Sequence, residues 1–133
     1  MNRLLLLDTM VLSAILKKDP NMYIRLRDEM NAGATIAVSP VVYYEIRRGL
    51  LHRDAQRLLS AFDALIAPMA WLEFTRGDWE EAASLWAKVH KSGKPREDAD
   101  LLIAAQANRR GATVVTENSK HFQDIARSLE SWK

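Results

Sequence analysis

Two hydrophobic patterns alternate along the chain. Leu4–Leu7 is a continuous apolar run ended by Asp8, as in a strand buried on both faces of a parallel sheet. Leucine is a weak strand former, so this assignment also leans on the elements next in the chain. Val11–Lys17 reads as a short helix closed by KKDPN, and Met22–Asn31 as a second helix stopped by Gly33. TIAVS, Thr35–Ser39, is the next strand. SPVVYYEIRRGL then opens a helix with Ser39 as N-cap and Pro40 at its first position.

Asp54–Ala67 carries Leu58, Leu59, Phe62, Leu65 and Ile66 at helical spacing and stops at Pro68. MAWLEF is strand-like. Asp78–His90 is helical, with Trp79, Ala82, Ala83, Leu85, Trp86 and Val89 on or near one face. KSGKP breaks the chain. Glu97–Arg110 is a helix apolar on nearly every side through LLIAAQA, with Gly111 as its C-cap. TVVT is a last buried strand, and a short helix near Ser119 and a tail complete the chain.

Alternating strands and helices predict an α/β sandwich around a mostly parallel sheet. The length predicts one domain over residues 1–133, without repeat, low-complexity tract or linker. Composition narrows the class. Hydrophobic residues at 48% and charged residues at 27% exclude a disordered chain. The absence of cysteine excludes disulfides and thiolate metal sites and points to a reducing cytoplasm. The first apolar run is too short for a signal peptide, and none approaches the ~20 residues of a membrane span, so a soluble cytoplasmic protein is expected. A net charge of +2 is compatible with a nucleic-acid partner without demanding one.

The candidate chemistry lies in carboxylates. Ligands of open parallel sheets collect beyond the carboxyl ends of strands, where Asp8 stands. Asp8 could equally N-cap the helix starting near Thr9. Glu45 sits in a helix among Val42, Tyr43, Tyr44 and Ile46, either as a snorkelling surface residue or as a ligand. Asp98 and Asp100 begin the LLIAAQA helix and, at about 100° per residue, point to nearly opposite sides. Asp98 suits the first turn, where the helix dipole favours an anion. Asp100 shares a stripe with Ile103, Ala104 and Ala107, where a carboxylate is costly unless paired or bound to a cation. Glu97 could assist it. Thr116, Glu117 and Asn118 come directly after the last strand, and they supply either oxygen donors or a capping turn. Such carboxylates, without a histidine cluster, suit a hard divalent cation, magnesium or manganese, which can activate water for phosphodiester cleavage. Arg47, Arg48, Lys91, Lys94, Arg96, Lys120 and His121 would form a phosphate-steering ring.

LLLLDTMVLSAIL, VSPVVYYEIRRGL, DADLLIAAQANRRGATVVTENSKHF and the terminal tryptophan, in this order, resemble the PIN-domain ribonucleases, and among them the VapC-type toxins of toxin–antitoxin pairs. The resemblance implies a three-layer α/β/α PIN-like domain and a Mg2+-dependent (or Mn2+-dependent) endoribonuclease. It makes Asp8, Glu45 and Asp100 the metal-site acids and Thr116 the hydroxyl at the strand end. The family's fourth acid falls at Asn118. Either this amide ligates through its carbonyl, or Glu117 compensates, or one ion alone binds firmly. The implied partners are an RNA substrate, a VapB-type antitoxin and a second copy of the chain, with no membrane. Met22, Tyr23, Leu26, Met30, Tyr43, Leu50 and Leu51 are candidate dimer residues. An RNA-processing nuclease without toxic role, or an inactive binding module, are the alternatives.

Overall fold

The computed structural model describes residues 2–132, so both end residues of the expected 1–133 unit lie outside it. In chain order the elements are β1 (Leu4–Leu7), α1 (Thr9–Leu16), α2 (Pro20–Asn31), β2 (Thr35–Val38), α3 (Pro40–His52) and α4 (Gln56–Ile66). Then come β3 (Ala70–Trp71), α5 (Arg76–Lys91), α6 (Asp98–Arg110), β4 (Thr113–Val115), a 3-10 turn (Ser119–His121) and β5 (Leu129–Glu130). The sheet runs β3-β2-β1-β4-β5, and every pairing is parallel.

Strand order explains where a site can form. From β1 the chain steps outward to β2 and β3, then returns to place β4 on the other side of β1. Crossovers between parallel strands are right-handed, so the reversal puts α1–α4 on one face of the sheet and α5 and α6 on the other. A crevice opens beyond the carboxyl ends of β1 and β4, where the connections part in opposite directions. The leucines of β1 are covered from both sides: Leu5, Leu6 and Leu7 are essentially inaccessible. That burial is why a continuous apolar run, rather than an alternating one, makes this strand.

Helix ends reflect local chemistry. Ser39 caps α3, with Pro40 first inside it, and Gly111 ends α6 at a φ of 65°. α5 starts two residues before the expected Asp78, because Thr75 and Asp78 form a reciprocal capping box.

Three expectations need correction. MAWLEF pairs only through Ala70 and Trp71. Beyond them, α6 side chains take over the backbone groups. Gln106 Nε2 donates to the Leu72 carbonyl at 2.8 Å, and Arg110 Nη2 donates to that of Glu73 at 3.0 Å. The tail supplies a strand, β5. The Asn108 side chain clamps Ile125 and Arg127, and so leads the chain back beside β4. Met22, Leu26 and Leu50, expected at a dimer surface, are buried in the protein's own core, whereas Tyr23 and Leu51 are about half exposed. Among the described residues no helix is long and apolar enough to cross a membrane.

Candidate active site

Asp8 leaves β1 in extended conformation, and its N–H still donates to the Val115 carbonyl at 2.9 Å, prolonging the β1–β4 ladder by one step. Its carboxylate then does two things at once. Oδ1 accepts from the Thr9 N–H at 2.7 Å, capping α1. Oδ2 accepts from the Thr116 hydroxyl at 2.8 Å. Capping and facing the crevice, alternatives in the sequence, are both realised. Thr116 Oγ1 also accepts from the Asn118 N–H at 3.0 Å, so one buried hydroxyl ties the end of β1 to the turn after β4.

Glu45 reaches the same region from α3. The Thr9 hydroxyl donates to Glu45 Oε1 at 2.8 Å, and Arg48, one turn on, stands 3.8 Å from Oε2. Asp100 enters from the first turn of α6 with its side chain 16% exposed. Its carboxyl is pushed up to about 6, chiefly by burial and next by the negative charge of Asp8. Glu97 and Glu45 push the same way, and His121 opposes them. Asp98 faces elsewhere, lining a groove with Trp79 and Trp86.

Asp8 and Glu45 are therefore both near enough to Asp100 for their charges to act on it. Among the described residues, though, no three His, Asp or Glu side chains close tightly around one point as an ion cage. The donor set is all oxygen, and its unbalanced negative charge is of the kind a hard cation relieves.

Thr9 and His121 are the residues that sequence reasoning underrated. Thr9 had a signal, since a hydroxyl beside Asp8 at the first position of α1 must lie at the same sheet edge. His121 was placed only in the outer ring of cations. It stands with Nδ1 3.5 Å from Asp100 Oδ2 and Nε2 3.1 Å from Asn118 Nδ2. In a 3-10 turn residues three apart eclipse, so Asn118-x-x-His121 carried the clue. Other members of the ring are occupied differently. Arg96 donates to the carbonyls of Lys94, His121 and Gln123, a strut that fixes the turn. Arg47 pairs with Asp63 and lies over the Tyr43 ring. Glu117 lies half-buried on the same turn.

The family model described as the PIN domain matches residues 5–128, which takes in every one of these side chains. "Ribonuclease VapC19" of Mycobacterium tuberculosis is 29% identical over 117 residues, covering 88% of this chain and 90% of the relative. "Ribonuclease VapC2" of Rickettsia felis is 27% identical over 129 residues, covering 96% of each. The solved structure of VapBC2 from Rickettsia felis, bound to a DNA fragment from their promoter, has a TM-score of 0.88 at 26% identity, covering 98% of this chain and 99% of that one. With its parallel sheet, its reversal of strand order and its match over nearly the whole length, the chain belongs to the PIN domain family.

Proposed function

We propose that this protein is a metal-dependent endoribonuclease, the toxin of a toxin–antitoxin pair held inactive by a VapB-type partner. The observation that carries the reading is the meeting of Asp8, Glu45 and Asp100 at the reversal point of the sheet, in a chain whose relatives are named VapC ribonucleases. The partner is supported by the likeness to a VapBC complex.

Asp8, Glu45 and Asp100 would hold Mg2+ or Mn2+, which when bound supplies an activated water and neutralises charge at the scissile phosphate. The protein's own part is positional. Thr116 aims one Asp8 oxygen and Thr9 aims one Glu45 oxygen, so each of two acids from different elements is oriented by a neutral hydroxyl. Arg48, beside Glu45 at the rim, meets the RNA backbone.

The test is cleavage of total RNA by the purified chain, with magnesium and with chelator, and sequencing of the RNA ends. Cuts that need magnesium and vanish in Asp8→Asn are the expected result. Equal cutting in chelator, or by the variant, would overturn the assignment.

We propose that a second copy docks on a surface other than the early helices. Tyr44, Phe74 and Leu102 line one groove beside Glu45, and Trp79 and Trp86 line the next. The Phe74 and Trp79 rings, 5.1 Å apart, join the two grooves. Tyr44, Trp79 and Trp86 are each about half exposed, and such clustered aromatic surface supports an interaction face. Trp86→Glu is expected to turn a dimer into a monomer in light scattering at micromolar concentration. A monomeric parent protein would end this proposal.

A further inference from the structure

Both ends of the chain meet at Glu130, in the edge strand β5. Arg3, just ahead of β1, donates from Nη2 to Glu130 Oε1 at 2.7 Å and from Nη1 to both Glu29 oxygens at 3.1 Å. The Trp132 Nε1–H donates to Glu130 Oε2 at 2.9 Å. Arg25 of α2 stands 3.9 Å from the same oxygen and lies over the Trp132 ring, 5.8 Å from its centre. Trp132 itself is buried. Burial works against the charge of Glu130. The Trp132 and Arg3 hydrogen bonds and the two guanidinium charges outweigh it and hold the carboxyl below its usual value.

A strand of two residues offers few ladder bonds, so β5 depends on side chains to stay docked. One of its bonds reaches toward the crevice. The Thr116 N–H donates to the Glu130 carbonyl at 3.0 Å, and the Thr116 hydroxyl donates to Asp8 Oδ2 at 2.8 Å. Glu130 therefore holds the ion pairs with its side chain and the crevice threonine with its backbone. Arg3 closes the circuit from the other side, since β1 runs from Leu4 to Leu7 and directly into Asp8.

We infer that Glu130 is a positioning residue: its clasp with Arg3, Arg25 and Trp132 keeps β5 docked, β5 fixes Thr116, and Thr116 aims Asp8. With β5 released, Thr116 loses a backbone anchor, and its hydroxyl no longer meets Asp8 from a fixed place. Glu130 acts only through Thr116. Partners of this kind, one step behind a site acid, commonly set how firmly that acid holds its ion. The magnesium arm of the test rests on the nuclease reading, and the exchange arm does not.

Amide hydrogen exchange of the metal-free full chain, followed by NMR, reads the docking of β5 residue by residue. In Glu130→Ala the Thr116 amide is expected to exchange about tenfold faster than in the parent. The Asp8 amide, bonded to the Val115 carbonyl on the other side of β4, should keep its rate. Arg3→Gln, at an exposed residue, should speed Thr116 in the same selective way, and it carries the test if Glu130→Ala does not fold. In the second arm, Glu130→Ala should raise the magnesium concentration for half-maximal RNA cleavage about threefold. A smaller folded fraction alone would not move that concentration. Thr116→Val should raise it about tenfold, and adding Glu130→Ala to that variant should shift it no further. An unchanged Thr116 rate in the folded variants, an Asp8 amide that speeds as much as Thr116, or shifts that multiply in the double variant would each overturn the inference. Should the parent cut no RNA at all, the nuclease reading falls while the exchange rates still decide the clasp.

Discussion

Asp100→Asn is expected to lower RNA cleavage by about a thousandfold or more while making the metal-free protein more stable at neutral pH. Both halves rest on one fact, that Asp100 is an acid held where an anion is disfavoured. Burial first, and the charge of Asp8 next, raise its carboxyl from 3.8 to about 6. Between those values the folded protein binds more protons than the unfolded chain, so stability falls as pH rises through the window. Above about 6 the penalty is fully present, and below 3.8 it vanishes. An asparagine has no such charge, so the variant should gain on the order of 2 kcal/mol at neutral pH and nothing in acid. Urea unfolding in chelator at the two pH values measures the gain, and cleavage of RNA measures the loss. A variant that cuts near the parent rate removes Asp100 from the site. A stability difference that ignores pH removes the electrostatic account.

Asp78 has the opposite character, and replacing it should produce the largest loss of stability. Its side chain has no exposure, and three cationic or capping groups close on it. Arg110 grips both oxygens at 2.8 Å, Arg109 Nε reaches Oδ1 at 3.1 Å, and the Thr75 N–H donates to Oδ2 at 2.8 Å. The Arg110 hydrogen bonds lead in holding its carboxyl down to about 2. Ionised Asp78 therefore stabilises the fold above 3.8, and the contribution is lost as pH falls toward about 2. Asp78→Ala leaves a half-buried arginine unpaired and opens the capping box, for a loss of about 3 kcal/mol. A lowered urea midpoint is the measurement. The folded variant should still cleave RNA, because Asp78 joins α5 to α6 away from the acidic crevice. An unchanged midpoint would mean that the arginines find water as good a partner.

These two aspartates show what could be read in the chain and what could not. Asp100 was legible because a carboxylate on the stripe of Ile103, Ala104 and Ala107 conflicts with its neighbours, and the conflict is local. Asp78 stood in the sequence only as the start of a helix, since the arginines that bury it come from α6, 31 and 32 residues away. The strands divide in the same way. Four consecutive leucines announce β1 in any context, whereas β3 and β5 are two residues each and exist only because β2 and β4 offer an edge. Counting apolar residues in the early helices overstated their exposed surface. Periodicity did not say that Met22, Leu26 and Leu50 would turn inward, or that the tryptophans of α5 would remain outside. His121 escaped because a 3-10 turn and the start of α6 are far apart in sequence and are brought together by tertiary contacts such as those of Arg96.

The hydrogen bond between Thr116 and Asp8 spans 108 residues, and Thr116 directly follows β4, one of the later elements in the chain. During synthesis β1 emerges first and waits, with one edge unpaired, until β4 has left the ribosome. Asp8 therefore lacks its Thr116 partner until the segment that follows β4 has been made. Long waits of this kind slow folding and leave an open strand edge exposed to other chains. They also mean that no nascent fragment ending before Thr116 contains the assembled crevice. The order of the strands delays assembly of the acidic crevice until β4 and the residues after it can join β1.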